Sequence, residues 1–185
     1  EGMSLQHPCV GLLQDANWWG KTKEMLVLEN VLKSMPDVHF YWAGDGQYKE
    51  KVLKVLEKFE NFHWLGSLQY PDKVREYLTE IDIYALISGM DLAPLTLKEA
   101  QLMKKPVIAT DVGGIYEMMK DGETGFLVKE GDDKDLIKKI LLLIKDKELS
   151  DKLGKEGRNF IQQEFSMKAS VKNFLRIVAP YVKNN

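Results

Sequence analysis

Apolar residues along this chain follow two spacings, short unbroken runs and stretches that recur every three or four positions. Pro8–Leu13 is a short apolar run, Val38–Trp42 a β-branched and aromatic one, and Phe62–Leu65 a third that closes at Gly66. Ile81–Ile87 and Pro106–Thr110 are nearly continuous, as parallel strands covered on both faces are. Between these runs, Met25, Leu26, Leu28, Val31, Leu32 and Met35 recur at helical spacing until Pro36 stops them. Val52, Leu53, Leu56 and Phe59 mark another helix, and Val74, Tyr77 and Leu78 a third behind Pro71 at its first position. The segment Gln14–Lys21 reads as a loop, as does Ser88–Pro94, which leads into a helix over Thr96–Met103. A short helix around Ile115–Met119, a strand at Gly125–Val128, and helices over Lys134–Lys145 and Glu148–Phe165 follow, with a last helix capped by Ser166.

Strands alternating with helices predict an α/β fold, a Rossmann-like doubly wound parallel sheet with a helical tail. Ligands of such sheets bind outside the carboxyl ends of the strands, which singles out the loops at 14–21, 43–47, 65–70, 88–95 and 111–114.

Composition narrows the function classes. A chain of 185 residues, 44% hydrophobic and 29% charged, is long enough for one well-cored domain. A net charge of -2 supplies no basic field, so nucleic acid is not expected as a partner. No run approaches the roughly 20 apolar residues of a membrane span. No signal-peptide pattern is present and the single Cys9 cannot close an internal disulfide, so a cytoplasmic setting is expected. Cys9 reads as a small core residue without a zinc partner near it. His7, His39 and His63 are scattered without ligand spacing, so no metal is expected. Residues 1–7 read as a boundary or an expression remnant, and 8–185 as the domain itself.

The most informative stretch is Ser88–Gly114. Asp91 and Glu99 are eight apart, one in the loop and one in the first turn of the helix. Two carboxylates beside a phosphate-attracting helix N-terminus suit a polyhydroxylated, phosphorylated ligand. The same residues also fit a structural reading, because Thr96 and Glu99 have the spacing of a capping box. Gly44-Asp45-Gly46 lacks the third glycine of a dinucleotide fingerprint and reads as a tight turn. Trp18-Trp19 in a loop suits burial against a partner domain, or stacking on a ligand. The lysines of Lys134–Lys147 read as a solvated helix face, with peripheral membrane contact as the alternative.

Taken together, Ser88, the Asp91/Glu99 spacing, Glu99-Ala100, Pro106-Val107-Ile108-Ala109-Thr110 and Gly113-Gly114 resemble the signature of the family 4, group 1 retaining glycosyltransferases of the GT-B fold. Ala43-Gly44-Asp45-Gly46, Phe62–Gly66 and Asp121-Gly122-Glu123-Thr124-Gly125-Phe126-Leu127-Val128 are similar to that family's other motifs, so the likeness covers roughly residues 8–181. The resemblance implies the C-terminal, donor-binding half of a GT-B enzyme that transfers a hexose from a nucleotide diphosphate sugar, UDP- or GDP-linked, to a hydroxyl acceptor. It implies no cofactor and no metal. Asp91 would face the donor sugar, Glu99 the ribose hydroxyls, and the amides around Leu95 and Thr96 the diphosphate. Gly44 would line the second-strand loop, and Leu65, Gly66 and Ser67 would border the base. An N-terminal acceptor domain is the expected partner, absent from this chain.

Three positions depart from the family pattern. Asp91 stands for its longer homologue, Leu12 for an arginine and Trp19 for a lysine, with Lys21 close enough to substitute as a cation. These departures keep a degenerate, non-catalytic module of the same fold as the alternative, and a GT-B sugar-nucleotide epimerase as a more distant one.

Overall fold

In the computed structural model, which describes residues 2–182, six parallel strands form one sheet in the order β3-β2-β1-β4-β5-β6. The strands are β1 (Cys9–Leu13), β2 (His39–Ala43), β3 (Phe62–Gly66), β4 (Ile83–Leu86), β5 (Val107–Thr110) and β6 (Phe126–Val128). All pairings are parallel, with Cys9 opposite His39 and Val10 opposite Ile83. The order runs outward in both directions from the β1/β4 pair. That reversal is where a doubly wound sheet opens a crevice at its carboxyl edge.

Both faces of the sheet are covered. On one, α2 (Leu28–Ser34), α3 (Lys49–Leu56) and α6 (Asp133–Lys145) bury Leu28, Val31, Leu32, Val52, Leu56, Leu136 and Ile140 against Val10, Phe40, Trp42 and Ile83. On the other, α4 (Asp72–Glu80) and α5 (Leu95–Leu102) bury Val74, Tyr77, Leu78, Leu97 and Ala100 against Cys9, Tyr84 and Val107. Coverage of both faces explains why β4 and β5 lack polar alternation, since each of their residues meets a helix layer. Asn61 closes the turn between α2 and β2, its buried amide donating to the carbonyls of Leu32, Met35 and Val38.

The helices differ from expectation in three places. The predicted loop 14–21 ends early, because α1 (Trp19–Thr22) begins inside it. The predicted continuous helix from Met25 is broken by a 3-10 segment over Lys23–Val27. The tighter turn carries Met25 into the core while the Glu24 carboxylate accepts from the Gly131 amide at 2.6 Å, a long-range contact that helical spacing does not register. The element after Gly114 is only a 3-10 turn over Ile115–Glu117, because Met118 and Met119 turn into the core instead of continuing a helix.

The tail consists of α7 (Lys147–Glu164) and α8 (Met167–Val182). Ser166 caps α8 as expected, its hydroxyl accepting from the Ala169 amide. Lys104, just past α5, has a φ of 59°, the left-handed conformation that glycine adopts without cost. Opposite it, Gly154 of α7 lies so close that a Cβ would sit 2.1 Å from the Lys104 carbonyl oxygen. Among the described residues, no helix is long and apolar enough to cross a membrane.

Candidate functional site

At the carboxyl edge of the sheet, one residue stitches the β1/β4 crevice together. Gln14, buried just beyond β1, donates its side-chain amide to the Ile87 carbonyl (2.7 Å) and accepts from the Ile87 amide (3.1 Å). Its own carbonyl accepts from the Trp42 indole at 2.9 Å. Gly44 is required beside it, because a Cβ there would stand 2.0 Å from the Gln14 oxygen. Gly46, at φ 151°, similarly abuts the Ala16 backbone. The Gly44-Asp45-Gly46 segment is therefore a tight turn, as expected, locked to the loop after β1.

The loop after β4 is held by backbone contact with the loop after β5. Gly113, at φ 57°, brings its Cα so near the Asp91 carbonyl that a Cβ would stand 1.9 Å from it. The Gly114 amide donates to that same carbonyl at 3.0 Å, and a Cβ on Gly114 would strike the Leu92 oxygen. Ser88 is fixed from the same side, its amide donating to the Thr110 hydroxyl. The Gly-Gly pair is thus a steric requirement for seating the 88–95 loop.

Within this frame, α1 places Lys21 against Asp91, Nζ to Oδ2 3.0 Å, with the Asp15 carboxylate at 3.7 Å. The Lys21 and Asp91 side chains are only 19% and 12% exposed, so each neutralises the other in a mostly desolvated setting. Gly20 and Gly89 let the two loops touch: a Cβ on Gly89 would meet the Gly20 oxygen at 2.3 Å.

Helix α5 starts at Leu95, one residue earlier than expected, and the capping box is not formed. Pro94 is its N-cap and offers no side-chain acceptor, while the Thr96 hydroxyl is engaged by the Tyr84 phenol at 2.8 Å. Glu99 consequently lies in the second turn, not the first, and makes no reach back to the helix start. The first amides of α5 are left without a side-chain acceptor, the arrangement that attracts anions.

A cleft of about 620 Å³ opens over this edge, lined by Leu13, Gln14, Asp15, Asn17, Ala43, Gly44, Asp45, Gly46, Ser67, Leu68 and Thr96. Of the residues proposed from sequence, Gly44, Ser67 and Thr96 line it. Lys21 and Asp91 stand paired outside that lining. Leu95 projects into solvent. Leu65 is half-buried toward the α4 layer, and the Gly66 carbonyl accepts from the Gly44 amide. Glu99 lines a separate, mainly apolar hollow with Tyr70, Arg75 and Leu102.

Gln14 and Tyr84 went unrecognised in the sequence. Tyr84 donates to Thr96 and lies 3.4 Å from the Leu13 carbonyl, joining β4, β1 and α5. Burial pushes its phenol well above the ordinary tyrosine range, and the charges of Asp91 and Glu99 push the same way. Its signal was a hydroxyl inside an otherwise apolar central strand.

The two departures from the family's cations are taken up by packing, Leu12 in the core and Trp19 half-buried at the surface. Leu12 is fully buried. Trp19, expected in a loop, opens α1 and packs on Tyr48 at 5.7 Å between ring centres, with the Lys51 ammonium over its face. Trp18 remains 51% exposed.

At the opposite, amino edge of the sheet the fold overturns another expectation. Cys9 is buried as predicted, yet it does have potential metal-ligating neighbours, because the start of β4 brings Asp82 to it alongside His7.

Residues 23–160 match the model of the Glycosyl transferases group 1 family, and the chain belongs to that family. The Staphylococcus aureus capsular polysaccharide biosynthesis glycosyltransferase CapM is 43% identical over 68 residues, 37% of this chain and 18% of that protein. The sulfoquinovosyl transferase SQD2 of Arabidopsis thaliana is 30% identical over 142 residues, 75% of this chain and 28% of that protein. The crystal structure of Anabaena HepE in complex with UDP-glucose superposes with a TM-score of 0.79 at 20% identity, over 94% of this chain and 49% of that one, and attests the fold. This chain spans between 18% and 42% of the length of such curated relatives.

Proposed function

We propose that this domain binds the nucleotide diphosphate sugar, UDP- or GDP-linked, for retaining transfer of a hexose to a hydroxyl acceptor. The observation that carries the reading is the uncapped start of α5 beside the cleft, with Thr96 in its lining, at the point where strand order reverses. The relatives are named as sugar transferases, and HepE was crystallised with UDP-glucose, which favours the same ligand class.

In this reading the amides of Leu95 and Thr96 receive the diphosphate. Lys21, held by Asp91 and Asp15 in the free protein, turns to the phosphates when the donor arrives. Release from Lys21 frees the Asp91 carboxylate for the donor sugar. The family resemblance assigns Glu99 the ribose hydroxyls, although in the free protein it lines the neighbouring hollow and not the cleft, while Gly44 and the Leu65–Ser67 segment border the rest of the nucleotide. Donors fixed in place around a departing diphosphate stabilise its developing charge, and no protein nucleophile is required. The acceptor site belongs to an N-terminal domain, so this domain alone binds without turnover. The protein works in the cytoplasm.

Calorimetric titration of UDP, GDP and ADP into the protein, repeated on Glu99→Ala, tests this reading. One nucleotide should bind to the wild type and lose at least tenfold in the variant. Absence of binding to the intact protein at millimolar nucleotide would support a degenerate module, the reading favoured by the buried Leu12 and by Trp19 packed on Tyr48 where the family carries cations.

A further inference from the structure

A second cluster lies at the amino ends of β1 and β4, the edge of the sheet opposite the donor cleft. One donor atom each from His7, Cys9 and Asp82 fall within 4.8 Å of one another. His7 Nδ1 is 2.8 Å from Asp82 Oδ2 and 3.6 Å from Cys9 Sγ. Both contacts converge on the same ring nitrogen. A catalytic cysteine needs its histidine to take the thiol proton on one nitrogen while the carboxylate orients the other. Here the thiol and the carboxylate share Nδ1, so nucleophilic catalysis does not fit the arrangement.

Convergence of thiol, imidazole and carboxylate on one point is what a divalent transition metal requires. We propose that His7 Nδ1, Cys9 Sγ and Asp82 bind a zinc-class ion, with a structural role remote from sugar transfer. Tetrahedral zinc with bonds of roughly 2.0–2.3 Å separates its ligand atoms by about 3.3–3.7 Å. The sulfur–nitrogen spacing meets that range as it stands, and the nitrogen–oxygen spacing needs to open by about half an ångström. Asp82 can provide this without disturbing the strand. Its Oδ2 accepts from the Cys9 amide at 2.8 Å, and its Oδ1 makes no hydrogen bond among the described residues.

The outer shell matches as well. The other ring nitrogen of His7, Nε2, stands 3.5 Å from the Glu80 carboxylate. A metal-bound histidine characteristically passes its second N–H to such a carboxylate, which fixes the ring and raises its basicity. His7 and Asp82 also line a hollow with Pro8, Leu143, Lys147 and other residues, which leaves room beside the cluster for a water ligand. Two cations border the cluster, Lys105 and Lys147. Lys105 is held away by the carbonyls of Thr79 and Ile81, at 2.7 Å each. The ion would tie the segment entering β1 to the start of β4, two strands that are neighbours in the sheet but 73 positions apart in sequence.

The test is titration of chelator-treated, tag-free intact protein with Co²⁺ as a spectroscopic probe and Zn²⁺ as competitor. One equivalent of Co²⁺ should give a thiolate charge-transfer band in the near ultraviolet and intense tetrahedral d–d bands, both discharged by Zn²⁺. Cys9→Ala should abolish the charge-transfer band, and His7→Ala, on the surface and compatible with folding, should weaken Zn²⁺ binding at least tenfold. Zn²⁺ should also raise the wild-type melting temperature but leave that of His7→Ala unchanged. An unchanged spectrum in Cys9→Ala, wild-type affinity in His7→Ala, or no uptake at a hundred micromolar metal would overturn the proposal. Nucleotide binding at the other edge should be the same with and without the ion.

Discussion

The two loops that meet at the β1/β4 crevice are built on different principles. The loop after β4 is fixed by backbone approach: Gly113 and Gly114 sit against the carbonyls of Asp91 and Leu92, and any side chain there would collide. The loop after β1 adds side-chain ties to its backbone contacts with Gly44 and Gly46, chiefly Gln14 bridging to Ile87 and Trp19 packing on Tyr48. The first loop keeps the residues that resemble the family signature except for Asp91; the elements flanking the second, β1 and α1, carry the two cation departures, Leu12 and Trp19. A loop held by backbone sterics tolerates no substitution at its glycines, so its motif stays readable. One held by side chains can exchange them as long as the replacements pack. In the proposed reading, the amides of α5 receive the diphosphate and Lys21 stands in for the family's arginine and lysine.

The largest effect should come from the backbone-held side. Gly113→Ala combines a left-handed φ with a collision against a carbonyl, and should cost about 4 kcal/mol in urea unfolding, or prevent folding. Near-wild-type stability in that variant would break the contrast between the loops. On the other side, Gln14→Leu strands the amide and carbonyl of Ile87, a loss of about 2–4 kcal/mol by the same measurement.

Lys21→Met sharpens the comparison at the ligand. It should weaken UDP or GDP by about tenfold to a hundredfold, the worth of one charge-assisted hydrogen bond, yet leave the unphosphorylated nucleoside unaffected. The double variant with Asp91→Asn removes the buried uncompensated carboxylate and should recover stability but not nucleotide affinity.

The smallest effect lies outside both loops. His63, bonded to His39 at 3.0 Å between ring nitrogens, is pushed below the ordinary histidine range by burial, with the His39 charge adding to it. Its folded value lies below its unfolded one, so the neutral form's contribution is complete above pH of about 6.5. That contribution falls as acid takes the pH down through the folded value. Relative to His63→Phe, the wild type should therefore lose slightly more stability between pH 7 and pH 5, measured by paired denaturant titrations.

Much of the fold was legible because burial on two faces leaves an unmistakable signature. Ile81–Ile87 and Pro106–Thr110 read directly as central strands, and the glycine motifs as close approaches. Around the candidate site, the close backbone approaches of Gly113 and Gly114 to Asp91 and Leu92 were legible, because glycines carry them. The site was not legible at Gln14 and Tyr84, whose side chains bond to other elements, Ile87 73 positions away and Thr96 12 positions away, so no helical or strand spacing reports them. The expected capping box failed for a related reason. Thr96 had the right spacing for a local bond, but its hydroxyl was already engaged by Tyr84 from the strand beneath. The helix from Met25 broke where Glu24 reached for Gly131, again a contact across the fold.

Lys104 and Gly154 constrain each other's substitutions. The turn at the left-handed Lys104 lies directly against bare backbone of α7, since a Cβ on Gly154 would strike the Lys104 carbonyl. Substitutions at the two sites are therefore not interchangeable in order. A glycine could enter at 104 in one step, whereas an alanine at 154 would first require the turn after α5 to move. That turn anchors the rear of the helix whose front faces the cleft, so a side chain at 154 would be felt at the cleft through α5.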